Sequence, residues 1–299
     1  MNLTSKYDLI VISGPTATGK TSLASKLAFD IDGEIISADS RQVYRKMDIG
    51  TGKDLSDYIF EGKDIKYHLI DIVEPGYKYS VFEFQRDFLD AYNLIKGKNK
   101  VPILCGGTGL YIEAAIGKYR LLEVPENEEL RNELELKTMK ELIQILNEMK
   151  KLHNTTDIKQ KARLIRAIEI ESYYKNNPCK KNVMPSINHI FFATNYSRTT
   201  VRERITERLK YRLASGMIDE VQKLLDSGLT PDDLIYYGLE YKYITQFIIG
   251  EISYNKMFEL LNTAIHQFAK RQMTWFRRME RKGFDIIWID KYEDIMMNL

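Results

Sequence analysis

Gly14-Pro15-Thr16-Ala17-Thr18-Gly19-Lys20-Thr21 matches the pattern G-x-x-x-x-G-K-[ST], and its flanks decide what the match means. Upstream, residues 7–13 form an apolar, β-branched run; downstream, residues 22–29 are helix formers. Strand, glycine loop and helix in that order open a phosphate-binding α/β unit, in which loop N–H groups and the helix N-terminus cradle a diphosphate. Lys20 would neutralise the anion, and the Thr21 hydroxyl would ligate Mg²⁺. The competing reading, a glycine turn with no ligand, does not account for the strand and helix on either side.

Working outward, residues 33–40 read as a second buried strand, 66–73 as a third, 81–95 as an amphipathic helix and 101–105 as a fourth strand running into Gly106-Gly107. Strands alternating with helices imply an α/β fold with a parallel sheet flanked by helices. From Pro125 the chain turns charged and helix-periodic over 127–151 and 158–174, until Pro178 and Pro185 punctuate it. This reads as a helical insertion. His189-Ile190-Phe191-Phe192-Ala193-Thr194 returns to a strand pattern, and three or four helices follow, the last from about Asn255 to Arg281. The expected organisation is a catalytic core of residues 1–122 and 186–299 around an insertion of residues 123–185.

Composition narrows the class. The 299 residues carry 44 basic and 42 acidic side chains, a net charge of +2, so affinity for nucleic acid must come from local clusters. Cys105 and Cys179 are far apart, without a CxxC partner or histidine neighbour, and the four histidines are scattered. A disulfide framework and a zinc site are both disfavoured, and a reducing, cytoplasmic setting is expected. No apolar run approaches the roughly 20 residues of a membrane span.

Several further residues carry chemistry in one reading and only structure in another. Asp39, in Ser37-Ala38-Asp39-Ser40-Arg41-Gln42, falls at a strand end, where open parallel sheets bind ligands. It reads as a general base, or as a turn cap with Ser40. Cys105-Gly106-Gly107-Thr108-Gly109-Leu110 places a hydroxyl at the next strand end, to reach a phosphate or to stabilise a turn. Asp71 can be read as a magnesium-orienting aspartate of a kinase, or as a local polar contact. Arg204, Arg208 and Arg212 line one helical stripe, and Arg163 and Arg166 another, with Glu169 in reach of Arg166; solvated faces are the plain alternative. Residues 270–282 carry six basic side chains and one acid around Trp275 and Phe276, with Lys270, Arg277 and Arg281 on one side. That is a candidate nucleic-acid surface, although such aromatics are commonly core.

Taken together, residues 14–21, 38–44, 47–53 (Met-Asp-Ile-Gly-Thr-Gly-Lys), 106–111, 163–169 and 270–275 resemble the bacterial tRNA dimethylallyltransferases, in that family's order and over nearly the whole chain. The resemblance implies a P-loop-kinase-like core, an insertion gripping the tRNA anticodon arm, and transfer of a dimethylallyl group to N6 of the adenosine immediately 3′ of the anticodon. It assigns Asp39 as general base, Lys20 and Thr21 to the diphosphate and its magnesium, and Thr108 and Arg208 to the reacting centre and leaving group. It puts Asp39, Ser40, Arg41, Gln42, Thr108, Arg131, Ala162, Arg163, Leu164, Ile165 and Arg166 against tRNA. One segment departs: where the family has Gly-Tyr and a basic residue, this chain has Gly238-Leu239-Glu240-Tyr241, and a glutamate facing phosphate would repel it.

The implied chemistry suits these residues. Dimethylallyl diphosphate ionises toward an allylic cation, so charge gathers on diphosphate, where Lys20, Arg208, Mg²⁺ and loop N–H groups stabilise it. The adenine N6 proton becomes acidic as the C–N bond forms, and Asp39 can accept it. The base must first be turned out of its stack, which calls for an RNA-gripping part. A monomer is expected. The rivals are an adenylate prenyltransferase acting on a free nucleotide, a P-loop small-molecule kinase, and a non-catalytic RNA-binding protein.

Overall fold

A computed structural model describes residues 6–117, 121–150, 160–177 and 184–299. In chain order the elements are β1 (Leu9–Ser13), α1 (Lys20–Asp30), β2 (Gly33–Ser37), β3 (Ile59–Phe60), β4 (Lys63–Asp64), β5 (Tyr67–His68), α2 (Val81–Gly97), β6 (Val101–Gly106) and α3 (Gly109–Ile116). Then come α4 (Glu128–Glu135), α5 (Met139–Met149), α6 (Lys161–Asn176), β7 (His189–Thr194), α7 (Arg198–Ala214), α8 (Met217–Asp226), α9 (Pro231–Tyr236), α10 (Leu239–Ile248), α11 (Tyr254–Arg281), β8 (Ile286–Ile289) and α12 (Tyr292–Asn298).

Six strands form one sheet in the order β5-β2-β6-β1-β7-β8, every pair parallel. Such sheets are covered on both faces, which is why β1 is apolar from Leu9 to Ile12 and buried throughout, Ser13 included. The register sets Ser13 beside Gly106 and Ala193, and Ser37 beside Cys105. The carboxyl ends of β1, β2, β6 and β7 therefore stop along one edge, and the loops following them share it. Ile10, Ile12, Leu27, Ile35, Ile103 and Phe192 lie in the core beneath.

The α/β reading holds, but three details differ from expectation. The second strand ends at Ser37, and the third spans only Tyr67–His68, because Leu69 (φ 63°) and Asp71 (φ 56°) take left-handed conformations that end pairing. Strand β8 and helix α12 follow α11, so six helices, not three or four, come after β7. Helix α2 starts on a reciprocal cap: Ser80 accepts the Glu83 N–H while Glu83 accepts that of Ser80.

The chain divides into two compact units, Met1–Gly117 with Pro185–Leu299, and Lys118–Met184. In the second, α4, α5 and α6 close around Leu134, Leu142, Leu146, Leu164, Ile165 and Ile168. The expected helix ends at 151 and 158, together with Cys179, lie outside the described residues.

Candidate active site

The glycine loop is shaped by a close contact at Gly14 and by a left-handed backbone at Gly19. Gly14 has φ 145°, and a Cβ there would fall 1.9 Å from Thr194 Oγ1. Thr194 Oγ1 donates to Thr18 Oγ1 (2.8 Å), which donates to Pro15 O (2.8 Å). Gly19, at φ 71°, turns the chain into α1. Lys20 Nζ donates to Pro15 O at 2.8 Å. Burial lowers the Lys20 pKa to about 8, with Arg208 pushing the same way and the Asp39 carboxylate opposing. Beside it the Cys105 thiol, pushed up to about 12 by burial, stays neutral.

Asp39 lies two residues past the end of β2. Its Oδ1 accepts the Arg41 N–H at 2.9 Å, so the turn-capping role is real. It does not exclude the other role, since the Asp39 charge acts on both Lys20 and Arg208. The neighbouring strand end locks this turn in place: Thr108 N–H donates to Ala38 O (3.1 Å), Thr108 Oγ1 accepts the Ser40 N–H (3.1 Å), and a Cβ on Gly106 would fall 2.3 Å from Ala38 O. Gln42 accepts from Ser37 Oγ (3.2 Å) and donates to Gly52 O (3.2 Å). The Arg41 guanidinium sits 5.8 Å from the Tyr236 ring.

From α7, Arg208 Nη2 donates to the Thr16 hydroxyl of the glycine loop. Burial lowers the Arg208 pKa to about 10, with Arg212 as the next cause. Gly14, Pro15, Thr16, Ala17, Thr18, Gly19, Lys20 and Thr21 are thus assembled with Asp39, Thr108 and Arg208 at one edge of the sheet. Gln272 completes the group and carried no role in the sequence reading. Its Oε1 accepts the Thr16 N–H and its Nε2 donates to Gly107 O, each at 2.8 Å, so it ties two loops together. The signal was available: Ile265, Ala269, Gln272, Phe276 and Met279 are the buried stripe of α11, and a lone glutamine in an apolar stripe needs partners.

Thr21 follows Lys20 in the first turn of α1. Among the described residues no cluster of three His, Cys, Asp or Glu side chains could hold a metal. The Thr21 hydroxyl is a hard oxygen donor of the kind that Mg²⁺ takes alongside substrate oxygens and water. Asp71 is otherwise engaged: its carboxylate pairs with the buried Lys53 ammonium, which also donates to Asp48 Oδ1 (2.7 Å) and Tyr44 O (2.8 Å). The kinase-like reading of Asp71 therefore loses its basis.

The remaining candidates belong to α4, α6 and α11. In the helical unit, Arg131 holds the buried Glu169 with two bonds (3.0 and 2.9 Å) and pairs with Glu126 (2.7 Å). Arg166 pairs with Glu169 and donates to Val124 O (2.8 Å). Leu164 and Ile165 are buried in that unit's core, so their side chains are closed to RNA. Ala162 and Arg163 are exposed in the first turn of α6, where the Arg163 N–H already donates to Gln160 O (3.1 Å) and its side chain is left to meet solvent. On α11, Lys270, Arg277 and Arg281 are exposed. Phe276 is core, at 6.4 Å from Phe191, and Trp275 packs on Gly109. Among the described residues no helix is long and apolar enough to cross a membrane.

Comparisons with known proteins agree with this geometry. The family described as IPP transferase matches residues 42–279, and isopentenyl transferase matches residues 7–67. The tRNA dimethylallyltransferase 2 of Phocaeicola vulgatus is 59% identical over 285 residues, covering 95% of this chain and 93% of that protein. The full-length tRNA isopentenylpyrophosphate transferase of Bacillus halodurans superposes with a TM-score of 0.68 at 31% identity, covering 97% and 93%. A eukaryotic dimethylallyltransferase acting on tRNA shares the fold, with a TM-score of 0.75 at 24% identity over 94% of this chain and 73% of that one.

Proposed function

This chain belongs to the IPP transferase family, and from that membership we propose that it transfers the dimethylallyl group of dimethylallyl diphosphate to N6 of the adenosine immediately 3′ of the anticodon in tRNA, releasing diphosphate. The observation that carries the reading is the meeting of a complete glycine loop with Asp39, Thr108 and Arg208 at one sheet edge. We also assign it to the cytoplasm as a monomer.

In this scheme the loop N–H groups, Lys20 and Arg208 hold the diphosphate. As the C–O bond breaks, negative charge gathers on the leaving oxygens, and these fixed cations stabilise it without reorganising. The Thr21 hydroxyl would hold Mg²⁺, which when bound would supply further neutralisation of that charge. Lys20 Nζ donates to Pro15 O and, among the described residues, pairs with no carboxylate, so the incoming anion meets a cation whose charge is not yet neutralised. The N6 nitrogen attacks the allylic carbon, and the Asp39 carboxylate takes the N6 proton as the C–N bond forms. Thr108 holds the Asp39 turn through Ser40. Exposed Ala162 and Arg163 and the α11 cations are the tRNA-facing groups.

One experiment decides among acceptors: incubate the protein with labelled dimethylallyl diphosphate and tRNA, AMP or ATP. Label is expected on tRNA alone. Labelled AMP would establish an adenylate prenyltransferase instead, and ADP formed in step with product would establish a kinase.

A further inference from the structure

Arg212 has no part in the scheme above, yet it lies one turn along α7 from Arg208 and shares its surroundings. Its guanidinium is laid against Gly52, where a Cβ would fall 2.3 Å from Nη2. The loop that carries Gly52 is a built wall. Glu220, in the first turn of α8, accepts the N–H groups of Asp48 (2.8 Å), Ile49 (2.6 Å) and Gly50 (3.0 Å), and the Tyr241 hydroxyl (2.7 Å). The buried Lys53 closes the same loop through Tyr44 O and Asp48.

Among the described residues, neither Arg208 nor Arg212 has a carboxylate within the 4.0 Å of an ion pair. Burial lowers the pKa of both. Neighbouring desolvated guanidiniums without a bonded anion are costly to hold, and an anion between them relieves the cost. The leading carboxylate acting on Arg212 is Glu240, whose own pKa burial raises, with Arg212 and then Arg208 the leading charges that oppose the rise. Segment 238–241 thus brings a carboxylate where a phosphate site needs cations, and α7 brings an extra cation beside it.

We propose that Arg212 is a second anion-binding arginine of the diphosphate site, supplying from α7 the positive charge that segment 238–241 lacks. It acts with Arg208 and Lys20 on the departing diphosphate, so its contribution grows as the C–O bond breaks. A phosphate of the tRNA backbone offers the same chemistry, and the test separates the two.

The assignment rests on the prenyl-transfer reading, and the measurements keep the two separable. Affinity for inorganic diphosphate with Mg²⁺, affinity for tRNA, and single-turnover transfer are measured for wild type, Arg212→Met, Arg212→Lys and the exchange Arg212→Met with Glu240→Arg. Arg212→Met should weaken diphosphate binding and slow transfer by about tenfold or more, as loss of a charge-assisted contact does, while tRNA affinity stays within about twofold. Arg212→Lys keeps the charge and should fall between, and the exchange should recover most of the diphosphate affinity. An unchanged diphosphate affinity in Arg212→Met, with melting intact, overturns the assignment. So does a loss confined to tRNA, which gives the arginine to the RNA backbone. Wild type that does not bind diphosphate removes the prenyl-transfer reading itself.

Discussion

At the scale of single residues, the site is a contest between burial and charge. Asp39 is placed to receive a proton, its turn fixed by Thr108 and its charge felt at Lys20 and Arg208. Asp39→Asn should keep tRNA affinity nearly intact while slowing single-turnover transfer by about a hundredfold, the usual worth of a positioned base. Equal losses in binding and little in chemistry would leave Asp39 only an RNA contact. Lys20 gives a second prediction through pH. With its pKa at about 8 in the free protein, it is cationic below that value and neutral above it. Affinity for diphosphate should therefore decline as pH rises through 8, and Lys20→Ala should bind weakly without that step. A decline of the same shape in Lys20→Ala would assign it to another group.

At the scale of elements, what could be read from the sequence was whatever local pattern alone controls. The strand, glycine loop and helix around residues 9–30 were legible because both periodicities and the loop chemistry agree there. Strand β8 was not, and the third strand was read too long. The pattern over 66–73 is strand-like, but left-handed Leu69 and Asp71 confine pairing to Tyr67–His68, and Ile286–Ile289 is a strand because β7 offers it an edge. The same gap hid the role of residues 47–53, whose shape comes from Glu220, some 170 residues away. Glu220→Ala should destabilise the protein by about 2–3 kcal/mol, since several N–H groups lose a charged acceptor. The amides of 48–50 should then exchange faster than those of β1; protection unchanged there would show that water replaces the carboxylate without loss. Helix α11 carries a further prediction. Its buried stripe, with Gln272, serves the loops, while Arg277 and Arg281 face solvent. Replacing both with alanine should lower the salt slope of tRNA binding by roughly one unit per lost phosphate contact, with transfer at saturating tRNA almost unchanged. Parallel slopes would make the stripe a solvated face.

At the scale of the molecule, each unit contains a buried carboxylate held by several partners, Glu34 in the sheet unit, beside Glu113, and Glu169 in the helical unit. In the sheet unit, Glu34 is 3% exposed and bonds His68 Nε2 (2.8 Å) and Lys98 Nζ (3.0 Å). In the helical unit, Glu169, 2% exposed, is held by Arg131, Arg166 and the Asn127 N–H (2.6 Å). Burial alone would raise both acids, but these partners outweigh it and leave both below the ordinary value of 4.5. A depressed folded pKa means that the unfolded chain binds the proton more tightly, so each contribution is full above 4.5 and is lost as pH falls through the folded value. Both tryptophans, Trp275 and Trp288, belong to the sheet unit, so their fluorescence reports that unit, while far-ultraviolet circular dichroism reports helices in both. Glu34→Gln, which trades the charge for an amide, should flatten the acid limb of the fluorescence transition. Glu169→Gln should leave that transition in place and change only part of the dichroism signal. If each substitution shifts both probes alike, the two units unfold as one body, and neither carboxylate anchors a separate part.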